Sequence, residues 1–102
     1  MDRFALAARR FILKSEEEDG FIIDSRILHV HYAGSWRGFR LYEYYIDDGR
    51  CVEPRYPPIY IMVDKDCSVR WMTVDEAVEY QLYRRCEERE AVEKLSEMLN
   101  HV

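Results

Sequence analysis

Phe39–Ile46, FRLYEYYI, admits two readings, and the fold turns on the choice between them. As a helix it continues the three- and four-residue spacing of Trp36, Phe39, Tyr42 and Tyr45 or Ile46, which leaves Arg37, Arg40 and Glu43 outside. As a strand it is a β-prone aromatic run ahead of Asp48-Gly49, a hairpin-turn dipeptide. The strand also spares Asp47 and Asp48 from the negative end of a helix dipole.

The second half of the chain favours the helix, because the two halves look alike. Residues 21–46 and 60–84 each open with an apolar strand ending in Asp, at Asp24 and Asp64. Each passes through a short polar turn to a second strand, 27–32 or 69–72, and then meets a hydroxyl residue suited to capping a helix, Ser35 or Thr73. A Tyr follows seven and ten positions later, giving Tyr42 and Tyr45 in one half and Tyr80 and Tyr83 in the other. The matched phase predicts an α+β fold of two ββα (hairpin-helix) pseudo-repeats, about 20–48 and 59–86, joined by a linker at 49–58 that holds all three prolines. Units of about 25 to 30 residues cannot bury an apolar face alone, so the two are expected to pack as one domain over 1–102. The strand reading gives instead an antiparallel meander flanked by two helices.

Outside this pair, Phe4, Ala8 and Phe11 recur at helical spacing behind Asp2, a candidate cap, so a helix is expected over 3–14. Residues 11–13 can also be read as a strand pairing with 21–23 across the solvated loop SEEEDG, 15–20. Thr73-Val-Asp-Glu76 is a capping box, with Asp75 and Glu76 complementing the dipole of the helix it opens. After the charged run RRCEERE, 84–90, apolar positions resume at Val92, Leu95, Leu99 and Val102 in a three-four seam. The C-terminal helical arm, 87–102, therefore either extends one long helix or starts another near Glu87, and it needs a partner surface: this chain's own N-terminal segment or a second copy.

Composition narrows the function. Twelve Arg against three Lys, with one Gln, one Asn and one Thr, is a charge-rich and amide-poor usage expected of a thermophile. A net charge of −5 argues against a general phosphate binder. Cys51, Cys67 and Cys86 lack metal-site spacing, and one disulfide, Cys51 to Cys86 or Cys67 to Cys86, is conceivable only in a hyperthermophile. No run reaches the length of a membrane span and the N-terminal apolar stretch is too short for a signal peptide, so a cytoplasmic protein is expected.

His29 and His31 alternate onto one strand face about 6 to 7 Å apart, without an assignable third metal ligand. Acidic pairs such as Asp64 and Asp66 fall in turns, where the side chain serves nearby amides. No phosphate loop, nucleophile elbow or calcium loop is present, so neither an enzyme nor a cofactor or metal site is expected. Aromatic residues make up 14% of the chain, and eight of them are Tyr, a residue enriched at protein interfaces. The pseudo-repeat packing would leave a groove between its halves, so the expected function is protein or peptide binding there, through Trp36, Tyr42, Tyr45, Trp71, Tyr80 and Tyr83, with a homodimer through the arm. Tyr and Arg interleaved over 37–45 and 80–85 make single-stranded nucleic acid the alternative partner.

Segments such as RGFRLYEYYIDDG, 37–49, and MTVDEAVEYQLYRRCEERE, 72–90, together with the length and composition, resemble the small orphan proteins of filamentous viruses of hyperthermophilic archaea. The resemblance implies the interior of a host cell and carries no active site.

Overall fold

The computed structural model describes residues 2–49 and 53–100. Helix α1 (Arg3–Glu18) is followed by a single 3-10 turn (Ser25–Ile27) and four strands, β1 (Leu28–Trp36), β2 (Phe39–Ile46), β3 (Ile61–Val63) and β4 (Val69–Trp71). Helix α2 (Val74–Asn100) closes the described chain. The strands lie in the order β1-β2-β3-β4, every neighbour antiparallel, so the architecture is α+β and the sheet is a meander between two helices.

Phe39–Ile46 is therefore a strand, and the pairing of hairpin-helix units is corrected: residues 20–48 carry no helix beyond the 3-10 turn. The local cause is Arg37-Gly38. Both residues have positive φ, 53° and 80°, which is what a two-residue hairpin turn requires, and Trp36 lands opposite Phe39. Ser35 thus stays within β1 and caps nothing. Residues 21–23, expected as a strand, are irregular, and Ile22 is 97% exposed. Only the second half, β3-β4-α2, has the hairpin-helix form.

Helix α1 starts as expected, with the Asp2 carboxylate accepting from the Ala5 amide at 2.7 Å. It runs past Lys14 through the acidic stretch, so residues 11–13 are helical. It ends in a Schellman motif: the Gly20 amide donates to Glu17 at 3.0 Å and the Phe21 amide to Glu16 at 2.8 Å, with Gly20 at φ 90°. Arg9 ties the helix to the sheet by donating to the carbonyls of Leu28, at 2.9 Å, and Ser25.

A helix packs on each face of the sheet. Under α1, Ala8 and Ile12 meet Leu28, Tyr42, Ile61 and Val63. On the opposite face Trp36, Leu41, Tyr60, Met62 and Met72 meet Ala77 and Tyr80 of α2. The β3–β4 turn is built by Asp64, whose carboxylate accepts from the amides of Asp66 (2.8 Å) and Ser68 (2.9 Å). Cys67 takes the left-handed conformation there, at φ 63°. Cys67 and Cys86 carry free thiols and are not bonded to each other; the Cys51–Cys86 pairing falls on Cys51, which lies outside the described residues. The described part of the linker, 53–58, has no regular secondary structure.

The capping box closes in both directions: the Thr73 hydroxyl accepts from the Glu76 amide at 3.1 Å, and Glu76 accepts from the Thr73 amide at 3.0 Å. Glu76 also takes a two-pronged bond from Arg70, at 2.7 and 2.9 Å. That bond first, and the Thr73 amide second, lower the Glu76 carboxyl from its ordinary 4.5 to about 2. A depressed folded-state value stabilises the fold fully above pH 4.5, and the contribution is lost as pH falls through 2. It is modest, since the Arg70 side chain is half-exposed. Chemical denaturation at a series of pH values should show stability declining across this window, and Glu76→Gln should flatten the decline; an unchanged profile in the variant would remove Glu76 as its source.

Candidate interaction surface

Helix α2 is 27 residues long, about 40 Å at the α-helical rise, yet its buried residues are only Ala77 and Tyr80. Its first two turns sit on the sheet. Tyr80 lies 5.7 Å from the Trp36 ring and 5.6 Å from the Tyr60 ring, and burial pushes its hydroxyl above the usual range. A Cβ on Gly34, just past the bulge between Tyr32 and Gly34 in β1, would stand 3.1 Å from the Tyr80 hydroxyl, a tight contact, and the φ of 140° there disfavours any other residue. Arg37 of the hairpin turn pairs with Glu79 at 2.8 Å.

Beyond Gln81 the helix leaves the body. Every residue over 82–100 is exposed, and the radius of gyration, 17.0 Å, exceeds the ~13 Å of a compact chain of this length. Residues 84–100 therefore form a helical arm continuous with the docked turns: of the two readings, one long helix holds, and no second helix starts near Glu87. Val92, Leu95, Met98 and Leu99 are 57 to 69% exposed. The seam extends backward through the heptad positions Glu88, Arg85, Gln81, Val78 and Val74, so it is apolar at both ends and polar in the middle. Beside its polar centre, Tyr56 and Pro57 of the linker form a shallow notch with Val78, Gln81, Leu82 and Arg85, where Arg85 donates to the Tyr56 hydroxyl at 2.7 Å.

A second exposed feature lies on the α2 side of the sheet, at the free end of the β1–β2 hairpin. His29 stacks on Tyr45 with centroids 4.7 Å apart, and His31 lies 6.2 Å away in nearly the same orientation. Glu43 stands opposite His31 in the register. Among the described residues no group of three or more His, Cys, Asp or Glu gathers as a metal site.

The six aromatic residues selected from spacing do not share one surface. Trp36 and Tyr80 are core residues on the α2 face, while Tyr42 is buried on the opposite face under α1. Trp71 packs at the edge of α1, 5.7 Å from Phe11 and 6.0 Å from Tyr44. Tyr45 belongs to the histidine stack, and Tyr83 is exposed on α2, where its bond to Glu87 (2.6 Å) raises its hydroxyl above the usual range. A groove between two hairpin-helix units does not form, because the first unit has no helix to wall it. Sequence reasoning missed Val74, Val78, Gln81, Arg85 and Glu88 as continuations of the arm's seam; the heptad period ran through them, but the charged stretch at its centre masked it.

No helix among the described residues is long and apolar enough to cross a membrane. Compared with protein-family models, curated proteins and solved structures, the chain matches none.

Proposed function

We propose that this chain is a protein-binding module whose recognition surface is the seam of α2. The observation that carries this reading is the run of exposed helix over 82–100 with Val92, Leu95 and Leu99 on one line. A helix in water gains most of its stability from packing an amphipathic face, and an isolated stretch of fewer than about 15 residues is marginal. An apolar seam held out from the body at this length is a docking surface in want of its complement. The body then serves as a base that fixes the root of the arm through Tyr80 and Ala77.

Single-stranded nucleic acid is the second reading, favoured by the flat, near-parallel rings of His29, Tyr45 and His31 on an open sheet face. The net charge of −5 and the adjacent Glu43 weigh against it.

One comparison separates the two. The full chain and a Leu95→Glu/Leu99→Glu variant serve as baits in lysate of the source cells, each with and without nuclease. Both residues are exposed, so the variant keeps its fold. The protein-binding reading expects a defined set of proteins, the chain itself among the candidates, that survives nuclease and is lost with the variant. Equal recovery by the two baits overturns it, and nuclease-sensitive recovery moves the function to nucleic acid.

A further inference from the structure

The polar centre of the seam specifies both what covers it and in which direction. The heptad line reads Val74, Val78, Gln81, Arg85, Glu88, Val92, Leu95 and Leu99, and its sequence of types is close to self-complementary when reversed. If a second copy of the helix runs antiparallel with the twofold axis between Cys86 and Glu87, Arg85 faces Glu88 of the second copy, and Glu88 faces its Arg85. The same register sets Val78 on Leu95 and Val74 on Leu99 at each end, with Gln81 on Val92 as the one mixed layer. Parallel pairing would keep the apolar layers but set Arg85 on Arg85 and Glu88 on Glu88 at adjacent layers, where like charges directly oppose association. The ends of the seam allow either direction; only the centre discriminates.

We propose that the arm's occupant is a second copy of this chain, bound antiparallel through α2 in this register. This rests on the reading of α2 as the binding surface and names the partner. Residues 74–99 span a little under four heptads, the length over which a heptad seam specifies a coiled coil. The flanking positions raise no like-charge pairs, since Arg84 falls beside Ala91 of the second copy and Arg89 beside its Leu82. The site also draws on the body: Leu95 and Val92 of one copy reach the notch of Tyr56, Pro57, Val78 and Leu82 on the other. Arg85 gives one N–H to Tyr56 and has further donors for Glu88 of the second copy.

Charge reversal tests direction as well as association. Sedimentation equilibrium of the full chain at low salt should show a dimer. Arg85→Glu alone sets Glu on Glu twice across the axis, and Glu88→Arg alone sets Arg on Arg; each should raise the dissociation constant at least about tenfold. The Arg85→Glu/Glu88→Arg double variant restores opposite charges and should return the constant to near that of the parent, although the bond to Tyr56 is gone. In a parallel dimer neither single reversal changes the sign of any pairing, so unchanged single variants, or a double variant that fails to recover, overturn the register. A parent that stays monomeric at about 100 μM overturns the second copy as occupant, and the broader reading of the arm then stands or falls on the Leu95/Leu99 bait comparison. All four residues are exposed, and circular dichroism of each variant checks that α2 persists.

Discussion

Tyr80→Ala should lower the stability of the fold by about 3–5 kcal/mol, the range for truncating a buried aromatic side chain, and should do so by releasing α2. Tyr80 is 4% exposed and is the only large side chain that α2 buries; Ala77, the other, has little to hold with. Its ring closes against Trp36 and Tyr60, and its hydroxyl end reaches over Gly34, so truncation opens a cavity bounded by two aromatic rings and bare backbone. The remaining ties between α2 and the hairpin are weaker. Arg37–Glu79 has both side chains more than half exposed, and the capping box secures only the first turn. For a domain of about 100 residues, with a total stability on the order of 5–15 kcal/mol, the loss is a large share of the whole. Urea denaturation followed by far-UV circular dichroism measures it directly, since α2 supplies 27 helical residues against 16 in α1. A loss below about 1 kcal/mol would mean that α2 is held by something other than Tyr80. Because the arm is continuous with the docked turns, the same variant should also weaken self-association, even though Tyr80 lies off the seam.

The features legible in the sequence were those whose partners lie within a few residues. Asp2 at the start of α1, the Thr73–Glu76 box and the Asp64 turn each satisfy backbone amides two to four positions away, so local chemistry fixes them whatever packs around them. β1 was legible through its alternation: Leu28 and Val30 face α1, while His29 and His31 face away. β2 was not, because the sheet is covered on both sides there. Leu41 is buried toward α2 and Tyr42 toward α1, which erases the period-2 pattern of a half-buried strand and leaves an aromatic run whose spacing also fits a helix. The deciding signal, Arg37-Gly38, was weak, since a non-glycine residue occupies the first left-handed position of the turn. The aromatic residues chosen as a site failed for a related reason. Spacing along a chain assigns a ring to a face but does not say which face another element covers, and Trp36, Tyr42 and Tyr80 are all under cover. The arm's seam was legible in part because Val92, Leu95 and Leu99 stay exposed among the described residues.

Ile61→Ala should destabilise the fold by about 2–5 kcal/mol, and its coupling to Tyr80→Ala tests how the sheet joins the two layers. Ile61 is fully buried at the centre of the sheet, between Tyr42 on β2 and Trp71 on β4 in the register, and faces Ala8 and Ile12 of α1. Close packing leaves α1 little freedom to collapse into the space, because Arg9 fixes its height over β1 through the carbonyls of Leu28 and Ser25. The loss should therefore fall in the upper half of the range, and one below about 1.5 kcal/mol would show that α1 does resettle. Ile61 and Tyr80 share no cluster, since the backbone of the sheet lies between their side chains. If that backbone is rigid, the effects of the two substitutions add to within about 0.5 kcal/mol. A larger coupling would mean that β3, only three residues long, shifts when either face is emptied. In that case occupancy of the arm, which pulls on α2, would reach α1 through β3. Additivity would instead make the sheet a fixed partition, with the arm's association confined to the α2 side.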